Sequence, residues 1–190
     1  MTALAQNAVL LVVDVQRGFD RYNESLHRNN RDLETNIARL LDAWRRSGRP
    51  VVFVQHLSRL KDSPLAPGQE GAEIKPEVRP NPGEPVVQKS VNSAFIGTTL
   101  EADLRAAGRQ VLVLTGLQTN FCVSTTARMA GNLGFETYVV SDATATFDNT
   151  GPDGRVWDAQ LLHDVALADL HGEFATVLDT AAVLSRLESA

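Results

Sequence analysis

Six short apolar runs, with helical patterns between them, organise the chain. Ala8 to Val13, Val51 to Gln55, Val86 to Gln88, Val111 to Leu114, Phe135 to Val140 and Glu173 to Leu178 read as strands. Most are apolar throughout rather than alternating, the pattern of a parallel strand covered on both faces. After the first run, Leu33, Ile37, Leu40, Leu41 and Trp44 recur at the period of one helical face within residues 30–47, and Gly48 ends the pattern. Thr98 and Glu101 form a capping-box pattern opening a helix with Leu100 and Leu104 on its buried face and Gly108 as its stop. The small-residue stretch from Asn120 to Leu133 predicts a helix with Val123, Ala127 and Ala130 along one side and Gly134 as its cap. Trp157, Leu161 and Val165, four apart, predict another that also carries His163, read as a packed or solvent-facing histidine. Asp179 caps a last helix through Val183, Leu184 and Leu187.

Strands alternating with helices predict an α/β, three-layer α-β-α fold in one domain spanning residues 1–190. A chain of 190 residues with 43% hydrophobic content is long enough for one full core. The segment from Arg59 to Pro85 holds six of the eight prolines and no sustained periodicity, so it reads as a functional loop or lid. It is not a domain boundary, because the alternation resumes after it. A net charge of -5, with 18 basic residues scattered, leaves no electrostatic footprint for nucleic acid or an anionic membrane. The expected partner is a small molecule. No run approaches the ~20 apolar residues of a membrane span, and the one cysteine cannot form an internal disulfide, so a cytoplasmic setting is expected.

Three residues carry the candidate chemistry. Asp14 closes the first strand, Lys89 lies at the end of the short strand Val86 to Gln88, and Cys122 lies just beyond the strand ending at Leu114. Each has an ordinary structural explanation: a turn aspartate, a solvated lysine, a small buried hydrophobe. Together they fall at the carboxyl ends of predicted parallel strands, where ligand crevices form. An acid, a base and a thiol there suit an activated nucleophile. Placement in a first helical turn should make the Cys122 thiol ionise more readily than the ~8.5 of a free cysteine. His56, directly after a strand, invites a metal hypothesis. Its neighbours Leu57 and Ser58 offer little, and His27, His163 and His171 give no ligand-pair spacing, so it is read as a polar loop or pocket residue. No metal and no cofactor are expected. Gln16, Phe19, Phe95, Phe121 and Trp157, in loops or helix starts that follow strands, are the other candidate pocket residues.

Carried by LVVDVQ, VVQKSVNSAF, TGLQTNFCVSTTARMA and VVSDATA, the chain resembles the isochorismatase-like cysteine hydrolases over almost its whole length. The resemblance implies a six-stranded parallel sheet of order 3-2-1-4-5-6 and a catalytic triad of Asp14, Lys89 and Cys122. It also implies a cis Leu117–Gln118 bond that turns the Gln118 N–H toward the substrate, so that it and the Cys122 N–H form an oxyanion hole. Nicotinamidases of the family carry an aspartate-any-histidine metal segment after the second strand, where this chain has His56-Leu57-Ser58. The implied activity is therefore hydrolysis of a C–N bond in a small amide, carbamoyl or lactam group through a cysteine thioester. The alternatives are a vinyl ether hydrolase using Asp14 as general acid, and a non-catalytic binding or scaffold protein of the same fold. Family members are commonly homo-oligomers, and the resemblance implies the same here.

Overall fold

The computed structural model describes residues 3–188. The main strands are β1 (Val9–Val13), β2 (Val51–His56), β3 (Val86–Lys89), β4 (Val111–Leu117), β5 (Glu136–Ala145) and, after a small hairpin, β8 (Thr176–Leu178). They form one sheet of order β3-β2-β1-β4-β5-β8, every pair parallel, which is order 3-2-1-4-5-6 in sequence. The hairpin strands are β6 (Asn149–Thr150) and β7 (Val156–Trp157).

Each apolar run divides between the two faces because side chains alternate along a strand. Leu10, Val12, Phe53, Val113 and Val140 point into one core layer, with α2 (Leu33–Arg46) and α6 (Thr180–Glu188) above them. Val9, Leu11, Val13, Val54, Leu112, Leu114 and Val139 point into the other, against α3 (Leu100–Ala106), α4 (Ser124–Asn132) and α5 (Ala159–Leu170). The helix α2 buries the five residues its periodicity picks out, and the Trp44 Nε1–H donates to the Ala8 carbonyl at 3.0 Å. A seven-residue helix, α1 (Phe19–Ser25), has no counterpart in the sequence pattern.

Several expectations are corrected. The face of α5 is not Trp157, Leu161 and Val165: Trp157 belongs to β7, Leu161 and Val165 are exposed, and Ala159, His163, Ala166, Leu167 and Leu170 are buried. Its first two turns bury only alanine and a histidine, with Leu167 and Leu170 joining at the far end, so the Leu161 and Val165 bulk marks the wrong side. The capping box does not form. Thr98 Oγ1 donates to the Ala94 carbonyl and α3 starts at Leu100. The segment from Arg59 to Pro85 is tied down, not free to swing. The Gly18 N–H donates to Gly71 O, the Arg17 N–H to Glu73 O and the Lys75 N–H to Val15 O, while Lys75 Nζ reaches Asp20 and Glu34. A Cβ on Gly71 would lie 2.3 Å from the Pro64 carbonyl oxygen, so only glycine lets these strands of loop approach so closely.

Candidate active site

Four adjacent strands deliver the site at their carboxyl ends. Asp14 follows β1 with φ of 52°, the left-handed conformation that aspartate tolerates better than most residues. His56 and Lys89 end β2 and β3 and are partners in the ladder. β4 extends past its predicted end to Leu117. At Gly116 φ is 112°, and a Cβ there would lie 1.9 Å from the Val13 carbonyl oxygen, so β4 can lie against the end of β1 only with glycine at this point. The Leu117–Gln118 peptide is cis. Next comes not an α-helix but a five-residue π-helical turn, Thr119–Val123, that carries Cys122 and leads into α4. In it the Gln118 carbonyl accepts from the N–H groups of both Phe121 and Val123.

Lys89 Nζ is the centre of the cluster. It donates to Asp14 Oδ2 at 2.6 Å, to His56 Nδ1 at 3.0 Å and to Cys122 Sγ at 3.3 Å, so three acceptors match the three N–H bonds of an ammonium. The Asp14 and Lys89 side chains are wholly buried. Burial, followed by the Lys89 charge, lowers His56 to about 4, so its ring is neutral and accepts at Nδ1. Burial raises Asp14 above the ordinary 3.8 against the opposing pull of Lys89. Its second oxygen, Oδ1, is buried without a hydrogen-bond partner among the described residues.

Cys122 departs from expectation. Burial first, and then the Asp14 charge, pushes its thiol up to about 12 instead of down. A helix terminus contributes at most ~2 kcal/mol, under two pKa units, whereas burial can shift a group by ~3 to 5 units. Desolvation wins, and the resting sulfur holds its proton.

Metal-ligand geometry also appears where spacing gave no hint. One ligand atom each from Asp14, His56 and Cys122 lie within 4.8 Å of one another. The Lys89 ammonium stands among them, so a divalent ion there would have to displace it. His27, Asp148 and Asp158 form a second such group, but Asp148 bonds the Ala159 N–H and Asp158 caps Gln160 and Leu161, which accounts for both carboxylates as caps of α5.

Among the pocket candidates, His56 joins the cluster and Phe121 lies beside Cys122 with a partly exposed ring. Gln16 is corrected. It is buried with its amide consumed by backbone, exchanging hydrogen bonds with the His56 N–H and carbonyl and donating to Ala72 O, so it positions β2 and offers nothing to a ligand. Phe19 is core, stacked on Phe147 at 6.1 Å. Phe95 packs on Phe135 at 5.8 Å, and Trp157 sits on the hairpin under the Arg155 guanidinium at 4.0 Å. The sequence reading missed a largely buried polar set behind the turn: the Thr146 hydroxyl donates to Asn120 Oδ1 at 2.5 Å with Gln118 Oε1 at 3.3 Å from it, Asn29 pairs with the Thr146 backbone, and His163 meets Thr119. The signal available was threonine and asparagine in otherwise apolar strand ends, which are costly to bury unless paired.

Known proteins share this arrangement of the chain. The isochorismatase-family protein YrdC of Bacillus subtilis is 45% identical over 93% of this chain and 94% of its own length. The ureidoacrylate amidohydrolase RutB of Variovorax paradoxus is 31% identical over 74% of this chain and 69% of its own. A crystal structure from Chromobacterium violaceum, described as an isochorismatase-family hydrolase, superposes with a TM-score of 0.95 at 42% identity, covering all of this chain and 98% of that one. With the isochorismatase domain profile matching residues 8–182, the chain belongs to the isochorismatase family.

Proposed function

We propose that the protein is a cysteine hydrolase that opens a C–N bond of a small amide, carbamoyl or lactam group, with Asp14, Lys89 and Cys122 as its catalytic residues. The observation that carries this reading is the Asp14 carboxyl, which shares the Lys89 ammonium with the protonated Cys122 thiol and keeps a second buried oxygen, Oδ1, that accepts from no donor among the described residues. Such an oxygen is costly to bury without a partner, and as a proton acceptor it has a use. As Cys122 Sγ attacks the substrate carbonyl carbon, the S–H proton passes to Oδ1. The oxyanion is held by the N–H groups of Gln118 and Cys122, each donor worth ~3 to 4 kcal/mol by analogy with other acyl-transfer sites. Collapse of the tetrahedral species breaks the C–N bond, and Asp14 returns the proton to the departing nitrogen. Water then attacks the thioester while Asp14 takes its proton, releasing the acid and restoring the thiol. Lys89, its three N–H bonds engaged, keeps positive charge beside the sulfur throughout. His56 fixes the third of those bonds.

RutB, named as an amidohydrolase, supports the C–N reading. The raised Asp14 carboxyl also suits a general acid, which keeps the vinyl ether reaction as a second reading. A screen of small amides, ureido compounds and lactams for released ammonia or amine tests the first, with Cys122→Ala as control. That variant should lose turnover altogether and melt within a few degrees of the parent. An acyl adduct on Cys122, seen by mass spectrometry, is expected with a slow substrate. Hydrolysis that survives in Cys122→Ala would instead fit the Asp14-acid route. Variants at Asp14 or Lys89 are poorer probes, since removing one partner of a buried pair costs ~3 to 5 kcal/mol of stability by itself.

A further inference from the structure

His163 is a buried titratable group that the reaction above leaves unused. It lies on the inward face of α5, 3% exposed, and burial lowers it from its ordinary 6.5, so the ring is neutral. Its tautomer is assigned from its neighbours. The ring bonds the Ser141 backbone, and the Asn30 amide, which donates to the Ser141 carbonyl at 2.8 Å and the Thr144 carbonyl at 2.6 Å, lies 3.5 Å from Nε2. Both Asn30 amide hydrogens go to carbonyls, which leaves none for Nε2, and a carbonyl only accepts, so the tautomer that satisfies every neighbour carries its hydrogen on Nε2 and presents a lone pair at Nδ1. Thr119 Oγ1 lies 2.9 Å from that lone pair, and Thr119 is fully buried. The hydroxyl therefore donates to His163.

Thr119 is the first residue of the π-turn and Cys122 the fourth. The Thr119 carbonyl accepts from the Ser124 N–H where the turn passes into α4. We propose that His163 is a positioning residue for Cys122: by accepting the Thr119 hydroxyl it pins the start of the π-turn and so holds the sulfur against Lys89 and Asp14. Its effect on turnover rests on Cys122 being the nucleophile. Its effect on where the sulfur sits does not.

Two substitutions separate positioning from bulk stability. In His163→Asn the amide oxygen stands near the Nδ1 position and can still accept from Thr119. In His163→Gln the amide nitrogen stands near Nε2 and keeps the Ser141 bond, leaving the hydroxyl without its partner. Thr119→Val removes the donor, and Thr119→Ser keeps it. The readouts are the pH dependence of Cys122 alkylation by iodoacetamide, followed by intact mass, kcat and KM on an amide substrate, and the melting temperature. For the parent, His163→Asn and Thr119→Ser, the alkylation midpoint is expected to stay far above the ordinary 9.0, with kcat kept within about threefold. For His163→Gln and Thr119→Val, the midpoint is expected to move toward 9.0 and kcat to fall by about tenfold to a hundredfold with KM little changed. Equal losses in the asparagine and glutamine variants, losses that only track the melting temperature, or no change in either would overturn the proposal. If the alkylation pattern appears but no amide is turned over by the parent protein, the positioning role stands and the hydrolase reading falls. If Cys122→Ala abolishes amide hydrolysis while alkylation is indifferent to His163, the reverse holds.

Discussion

At the scale of single residues, the site is a contest between burial and charge, and burial decides the resting state. Asp14 and Cys122 are both raised, so one proton belongs to the sulfur until a substrate carbonyl draws it off. This makes the pH behaviour distinctive. Alkylation of Cys122 should still be climbing above the ordinary thiol value of 9.0, because its midpoint is displaced to about 12. In the proposed reaction Asp14 must be ionised, so the acid limb of kcat/KM should lie above 3.8; a limb at or below that value would show that Asp14 is not the base. The sequence made the identities of Asp14, Lys89 and Cys122 legible, because each ends or follows an apolar run. It could not show their electrostatics. Spacing along a chain carries no information about desolvation, and the helix-terminus expectation for Cys122 omitted the larger effect. His56 was unreadable as a neighbour of Lys89 for a related reason: strands β2 and β3 bring the two side by side across a long, patternless segment.

At the scale of elements, strand runs were easy to read and helix α5 was not. A strand buried on both faces announces itself by composition alone, whereas α5 buries Ala159, His163 and Ala166 beside Leu167 and Leu170 while Leu161 and Val165 face out, so a count of bulky residues does not find its inner face. Leu161→Gln and Val165→Thr should therefore change stability by no more than ~0.5 kcal/mol, while Leu170→Ala should cost ~2 to 5 kcal/mol in denaturant titration. The reverse ranking would restore the face drawn from the sequence. In β4, Gly116→Ala drives a methyl group into the Val13 carbonyl and asks a non-glycine residue to hold φ of 112°. Loss of stability and of activity together is expected, and a silent Gly116→Ala in thermal melts would refute the close approach.

At the scale of the whole molecule, four neighbouring strands place every catalytic candidate at the carboxyl end of the sheet, and the segment from Arg59 to Pro85 is tied to α1 and α2 through a part-buried charge cluster. Burial raises the Glu34 carboxyl, but Arg28 and Lys75 outweigh it and hold it at about 2, against an ordinary 4.5. A carboxyl held low contributes stability above its unfolded value and loses it as pH falls from 4.5 toward 2. The loss is ~3 kcal/mol at most. Glu34→Gln should flatten that part of the acid unfolding curve, and an unchanged slope would mean that the cluster does not couple to folding. Among the described residues no helix is long and apolar enough to cross a membrane. The π-turn has a consequence for length as well as for shape. A helix advances about 100° per residue, so deleting one residue between Leu117 and Cys122 would turn Cys122, together with α4, out of register with β4 and swing its sulfur off the ammonium. Across those few positions the count of residues is itself part of what holds the sulfur beside Lys89.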